Sequence, residues 1–286
     1  MSKLEQVVES VSSVLGAEYS VCSVEVLKNS GMKTDGILIQ GNGERIGATI
    51  YVPKEHLENA TVSEIADFVC CEYWAALTSK NSLGCVKDFA DGQFVLSNVV
   101  YQLINKQSNA DFLSSVPHKD FLDLALIYRV VLSVNDEGIS FYAVRNDFLL
   151  TIGISIEELD EAAEKNTIHR LGMRCSSLEE VLGINLPHKE ATPQLYMLTN
   201  EVSISGATLM TYSSVLSEIA GKLGGNLIIL PSSIHEVLLL AENVDLSITD
   251  LGSMVREVNK SEVSAEDFLS NSVYRFVKDT GVVELA

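Results

Sequence analysis

The sequence predicts an α+β protein, mainly antiparallel sheets with packed helices, arranged as two subdomains. Three observations predict it. Helical and strand patterns alternate along the chain rather than segregating. The connections between neighbouring strands are short, which favours antiparallel pairing, because a parallel crossover needs a dozen or more residues. A polar stretch at residues 105–117 interrupts the apolar patterning and divides the chain into an N-terminal α+β subdomain, 1–115, and a C-terminal one, 116–286. With 286 residues, 47% of them hydrophobic, the chain is long enough to bury a sizeable core.

The elements follow in order. Residues 2–14 read as a helix stopped by Gly16. Tyr19 to Leu27 is rich in β-branched residues and reads as a strand. Asn29-Ser30-Gly31 is a turn, and Gly36–Gln40 and Ile46–Tyr51 complete a small antiparallel sheet. Thr61-Val62-Ser63-Glu64 is a capping box opening a helix to about Leu77. Its apolar residues Ile65, Phe68, Val69, Trp74, Ala76 and Leu77 cover most of the circumference, so the helix is expected to be largely buried. A second helix is expected from about Gln93 to Lys106.

Beyond the polar break, Phe121 to Ser133 reads as one long apolar strand. Asn135-Asp136-Glu137-Gly138 turns the chain into a strand at Ile139–Val144. Ser155-Ile156-Glu157-Glu158 opens an acidic helix to Lys165, with Ile156, Leu159 and Ala163 inward and the acids, Asp160 among them, outward. Ser177-Leu178-Glu179-Glu180 repeats the signal for a short helix. Gln194–Leu198 is a strand. Ser213–Leu223 is a helix ended at Gly224-Gly225, where a left-handed cap favours glycine. Strands at Leu227–Leu230 and Ile234–Leu240, a helix at Thr249–Asn259 and a strand at Val273–Val277 finish the chain.

Composition excludes several function classes. A net charge of −19 with only 20 Lys and Arg opposes direct nucleic-acid binding, which needs cations against phosphate. The acids are spread along the chain, so nucleic-acid mimicry is not indicated either. Neither a signal peptide nor a run of the eighteen or so apolar residues that span a bilayer is present, which predicts no membrane association and a cytoplasmic protein. The five cysteines include no CxxC pair and read as free thiols of a reducing compartment. Cys70-Cys71 falls in an apolar helix. Cys175, near Arg174 and His169, is the thiol expected to be exposed and acidified.

The segment Leu230 to Leu240 is the most chemically loaded. Ser232 or Ser233, His235 and Glu236 supply the residue types of a nucleophilic triad. Their adjacency is a poor sign, and no Gly-x-Ser-x-Gly elbow exists. If Ile234–Leu240 is a strand, its period of two sends His235 and Glu236 to opposite faces. The sequence then predicts a hairpin corner with two separately satisfied polar residues. His118, after Pro117, is a further candidate, with capping as its plainer role.

Metal binding finds no pattern among His56, His118, His169, His188 and His235. His235-Glu236 begins like a zincin motif, but the position of the second histidine is Leu239. A composite site would have to draw on His118, His169 and His235. Gly221-Lys222-Leu223-Gly224-Gly225 sits at a helix end, whereas phosphate loops feed a helix start. No metal and no cofactor is predicted.

Several segments together resemble a family of uncharacterised proteins from clostridia and related Firmicutes, described only as a domain of unknown function. They are Val26 to Gly31 with Asp35-Gly36, Val116 to Ala125, Met197 to Asn200 with Gly206-Ala207, Leu230 to Val237, Met254 to Lys260, and Val273-Tyr274-Arg275. The resemblance covers roughly residues 20–277. It implies a bacterial cytosolic setting, sometimes on mobile elements, and carries no catalytic residues across.

The functional expectation is a non-catalytic protein-binding or regulatory module with a protein partner. One variant is an acidic inhibitor of a host nuclease or defence complex. The alternative is a hydrolase or transferase using Ser232 or Ser233, His235 and Glu236, with His118 in support. A structural or oligomerising role is a third possibility.

Overall fold

The computed structural model describes residues 2–43, 47–78, 91–135, 138–183, 194–231, 233–242 and 247–286. It separates into two units, Met1–Phe89 and Ala90–Ala286. The fold is α+β, and every strand pairing among the described residues is antiparallel.

In the first unit, α1 (Lys3–Leu15) opens on a reciprocal capping box between Ser2 and Glu5 and ends at Gly16, φ 82°. Strands β1 (Tyr19–Leu27), β2 (Lys33–Gly41) and β3 (Ala48–Tyr51) form a meander in that order. The short helix α2 (Lys54–Asn59), which has no apolar stripe to betray it, precedes α3 (Val62–Thr78). Glu64 accepts from the Thr61 amide at 2.7 Å and donates its own amide to the Thr61 hydroxyl at 3.3 Å, the predicted cap. The core joins Val7 and Val11 to Ile37, Ile39, Val52, Ile65, Val69 and Tyr73. Here the burial expectation fails. Only the stripe Ile65, Ala66, Val69, Cys70 and Tyr73 is buried, while Trp74 is 45% exposed and Cys71 lies outward. The spacing of three and four selects one face, and Trp74 covers Tyr73 and Tyr19 edge-on from the rim.

In the second unit, α4 (Gly92–Asn98) is followed at once by β4 (Val99–Asn105), so the helix expected to Lys106 is half strand. All seven β4 residues are buried. A strand covered on both faces has no polar alternation to distinguish it from a buried helix. β5 (His118–Phe121) and β6 (Leu124–Asn135) are two strands where one was expected. The chain reverses between them with Leu122 in a left-handed conformation, φ 56°, a turn without the usual glycine. Strand β4 lines one edge of β6. On the other edge β5 and β7 (Gly138–Ala143) pair with its two halves, with a register shift at Val131/Ser133. The polar stretch 105–117 thus lies inside the second unit, between β4 and β5, and contains α5 (Ala110–Leu113). Its polar residues fold on themselves. Asn105 Oδ1 accepts from the Ser108 amide at 2.9 Å, and Asn109 Nδ2 donates to the Asn105 carbonyl at 2.8 Å.

Helix α6 (Asn146–Ile152) leads to α7 (Ile156–Leu171), which opens on the predicted Ser155/Glu158 box but runs past Lys165 to bury Leu159, Ala163, Thr167 and Leu171. Ile156, expected inward, is 39% exposed. Then come β8 (Arg174–Ser177), the predicted capped helix α8 (Leu178–Leu182) and β9 (Tyr196–Thr199). A 3-10 helix (Gly206–Thr211) precedes α9 (Ser213–Leu223), which stops at Gly224, φ 84°. Finally β10 (Leu227–Pro231), β11 (Val237–Ala241), α10 (Ile248–Ser261), β12 (Tyr274–Val277) and β13 (Val282–Leu285) complete a six-stranded sheet ordered β13-β12-β10-β11-β9-β8. Its central hairpin is apolar on both faces. Ile228, Leu230 and Leu240 meet Leu251 and Val255 of α10, and Ile229, Val237 and Leu239 join the main core with Met210, Leu216 and Phe276. No described helix is long and apolar enough to cross a membrane.

Candidate functional site

The central hairpin positions the polar corner. Its last ladder pair is Pro231 with Val237, so His235 and Glu236 lie in the connection and not in a strand, as a strand over Ile234–Leu240 would have required. The backbone explains why. Ile234 donates its amide to the Asp267 carbonyl at 2.8 Å and accepts from the Ala207 amide at 3.2 Å, so both its groups bond away from the ladder. The Ser233 amide closes the turn onto the Glu236 carbonyl at 3.3 Å.

Within this turn the side chains divide into two pairs. Ser233 Oγ donates to Glu236 Oε1 at 2.9 Å and accepts the His235 amide at 2.9 Å. The His235 ring faces elsewhere. Its Nδ1 accepts the Ser205 amide at 3.3 Å, which places the ring proton on Nε2, and Nε2 donates to Asp267 Oδ1 at 3.0 Å. Asp267 Oδ2 accepts from Ser264 Oγ at 2.8 Å. Imidazole and hydroxyl are therefore not paired. The geometry assembles a Ser233–Glu236 pair and a His235–Asp267–Ser264 chain, not a Ser233–His235–Glu236 relay. Ser232 lies outside the described residues. His118 sits on β5 with Nδ1 3.1 Å from the Val116 carbonyl oxygen, the local capping role.

The loop that meets the imidazole is backbone-strained. Ser203 and Ser205 have φ of 55° and 58°, a conformation costly for residues with a Cβ. Asn200 braces the loop, donating Nδ2 to the Ile204 carbonyl at 2.6 Å and accepting the Ile204 amide at 3.2 Å. Gly206 is required by close approach: a Cβ there would stand 2.5 Å from the His235 carbonyl oxygen and 2.7 Å from the Asn200 nitrogen. Ser205, His235 and Asp267 are also residue types of a hydrolytic triad. The Ser205 hydroxyl, however, is buried without a hydrogen-bond partner among the described residues and does not line the neighbouring cavity.

That cavity, about 410 Å³, is bounded by Ser203, Ser233, His235 and Glu236 on one side and by Val258, Glu262, Val263, Ser264 and Asp267 on the other. Three carboxylates and three hydroxyls face it, with no Lys or Arg. Such a lining suits a cation or a hydrogen-bonding donor.

Two further carboxylates are committed inside the second unit, and the sequence reading missed both. Asp160, expected to point outward, receives the hydroxyls of Tyr101 at 2.5 Å and Tyr128 at 2.8 Å on Oδ1, and Lys119 at 3.0 Å on Oδ2. Burial opposes its charge, but the hydrogen bonds from Tyr101, Lys119 and Tyr128 outweigh burial and hold its carboxyl below the usual aspartate value. Burial, reinforced by Asp160, pushes both tyrosines up. Asp123, in the turn before β6, receives Ser270 and Ser272 on Oδ2, both at 2.9 Å, and Tyr274 on Oδ1 at 2.7 Å, tying β6 to the six-stranded sheet.

The remaining candidates disperse. His56 packs edge-on against Phe68, His169 is exposed in the last turn of α7, and His188 and Cys85 lie outside the described residues. Among the described residues no group of three His, Cys, Asp or Glu is placed to hold a metal. Cys175 is half-buried in β8, and burial raises its thiol rather than acidifying it. Arg174 donates instead to Ser203 Oγ at 2.7 Å. Residues 221–225 form the predicted helix C-cap.

The fold and the corner define an α+β protein with an acidic cavity at a sheet corner. Within that class, the chain belongs to the family of unknown function DUF5688, which matches it over residues 3–278. No curated protein and no solved structure matches the chain.

Proposed function

We propose that the chain is a non-catalytic protein-binding or regulatory module whose partner is basic. The observation that carries this reading is the cavity. Glu236, Glu262 and Asp267 face it, while both ring nitrogens of the only nearby imidazole are spent on Ser205 and Asp267. A base held at both nitrogens is poorly placed to take a proton from a hydroxyl, whereas carboxylates facing a solvent-filled hollow favour a cation. The free thiols Cys22, Cys70, Cys71 and Cys175 suit a cytoplasmic setting, in which the variant partner is a host nuclease or defence complex.

The test is co-purification from the native host followed by a salt series on the isolated complex. Affinity should fall at least tenfold between about 50 and about 300 mM salt, as screening shortens the reach of the carboxylates. Indifference to salt would sink the reading.

The alternative of a hydrolase or transferase keeps one supporting observation: Ser233, His235 and Glu236 do border a common cavity. It requires the imidazole to leave Asp267 and Ser205. Turnover of a fluorogenic ester or amide panel, lost in His235→Asn, would establish it against the binding reading.

A further inference from the structure

The cavity continues along α10. Leu251 and Val255 of that helix are buried against the sheet, but the adjoining row runs the other way. Met254 is 55% exposed, Val258 is 40% exposed, and Glu262, one turn further, lies in the open. Residues four apart on a helix are neighbours, so Met254, Val258 and Glu262 form one strip. Val258 and Glu262 also belong to the cavity wall. An apolar strip therefore ends in an acidic hollow. Glu262 makes no side-chain hydrogen bond or ion pair among the described residues, unlike Asp267, whose two oxygens are both engaged.

We propose that this strip and the cavity together dock a protein segment in which a Lys or Arg stands next to a large apolar side chain. The proposal rests on the protein-binding reading and specifies where and what it binds. The argument is charge complementarity joined to exposed apolar surface. The cation enters the hollow between Glu236 and Glu262, where a polarisable methionine beside Val258 accommodates the apolar neighbour. A second copy of the chain is a poor occupant, because each carries −19 and the two would repel. An anionic lipid surface is repelled for the same reason.

The test uses the full chain against a displayed library of random peptides about a dozen residues long. Enriched peptides should carry Lys or Arg within a position or two of Leu, Ile, Phe or Met. The strongest, resynthesised, should bind about tenfold more weakly to Val258→Asp and about fivefold more weakly to Glu262→Gln. Both positions are surface ones, and circular dichroism checks that the variants keep the wild-type spectrum. Peptides that bind both variants as tightly as the wild type would overturn the surface while leaving a binding module. Enrichment of acidic or uncharged peptides, or of none, would overturn the occupant. A dimer seen by analytical ultracentrifugation and abolished by Val258→Asp would also overturn it, in favour of a second copy. Failure of the protein-binding reading is separately visible as ester or amide turnover that His235→Asn removes.

Discussion

Two carboxylate clusters in the second unit use similar residues to opposite ends. At Asp160, one carboxylate gathers two tyrosine hydroxyls and a lysine, and the tyrosines are almost wholly buried, Tyr101 at 3% and Tyr128 at 2% exposure. Every strong donor there finds an acceptor, and little is left over for a ligand. At the hairpin corner, three carboxylates, an imidazole and several hydroxyls meet around a hollow of about 410 Å³. Only part of that set is internally satisfied. The difference teaches that carboxylate content does not mark a functional site. What marks one is polar capacity left facing solvent after the fold has made its own bonds.

Breaking the closed cluster should have the largest effect. Asp160→Ala strands two buried hydroxyls and is expected to cost about 3 kcal/mol, read as a lowered denaturation midpoint. A loss under about 1 kcal/mol would mean water replaces the carboxylate, and the cluster is not closed. Gly206→Ala comes next, at about 2 kcal/mol, because its Cβ meets backbone atoms of His235 and Asn200. Gly221→Ala is the control. Nothing lies within 4 Å of its Cβ in α9, so thermal melting should show it neutral or stabilised by roughly 0.5–1 kcal/mol. His235→Ala removes two hydrogen bonds from a half-exposed corner and should cost about 1 kcal/mol. If His235→Ala proved as damaging as Asp160→Ala in urea titration, the corner would be structural and the contrast would collapse.

The subtlest distinction is pH. The Asp160 carboxyl lies below its ordinary value of 3.8 in the folded chain, so the unfolded chain binds the extra proton more readily. Its stabilisation is complete above that value and drains as pH falls through the lower folded value. Burial pushes nearby Tyr212 up to about 12, so its contribution is complete below the free tyrosine value near 10 and fades as pH rises toward about 12. Denaturation midpoints across pH should therefore fall at both extremes, and Asp160→Asn should flatten the acid limb alone. An unchanged acid limb in that variant would remove Asp160 as its source.

Much of the scaffold was legible because its signals are local. The boxes at Thr61, Ser155 and Ser177 each placed a helix start, Gly224 placed the end of α9, and β-branched Tyr19–Leu27 was a strand end to end. What failed were features decided by distant contacts. Val99–Asn105 became a strand because β6 pairs with it, and Asp160 turned inward because Tyr101 and Tyr128 wait beneath it. The corner was half legible. Separate partners for His235 and Glu236 were foreseeable from the sequence, and they do bond separately, though through a turn and not through opposite strand faces. The partner Asp267, 32 residues away, has no spacing that could point to His235. Ser264-x-x-Asp267 offered only the signature of a side-chain-capped turn.

The order of the six-stranded sheet carries a consequence for how the chain assembles in time. Its middle strands, β10 and β11, are joined by a short turn, while the outer strands arrive from residues 174–199 on one side and 274–285 on the other. Closing a short hairpin takes on the order of microseconds, and long loop closures come later. Growth from the centre outward is the expected route, with φ-values near one at Leu230 and Leu238 and near zero at Cys175 and Val283. On that route the turn at Ser233 to Glu236 is shaped before Asp267 or Ser205 has reached it, and the cavity is a late product, closed when the chain on either flank folds back onto a corner already waiting.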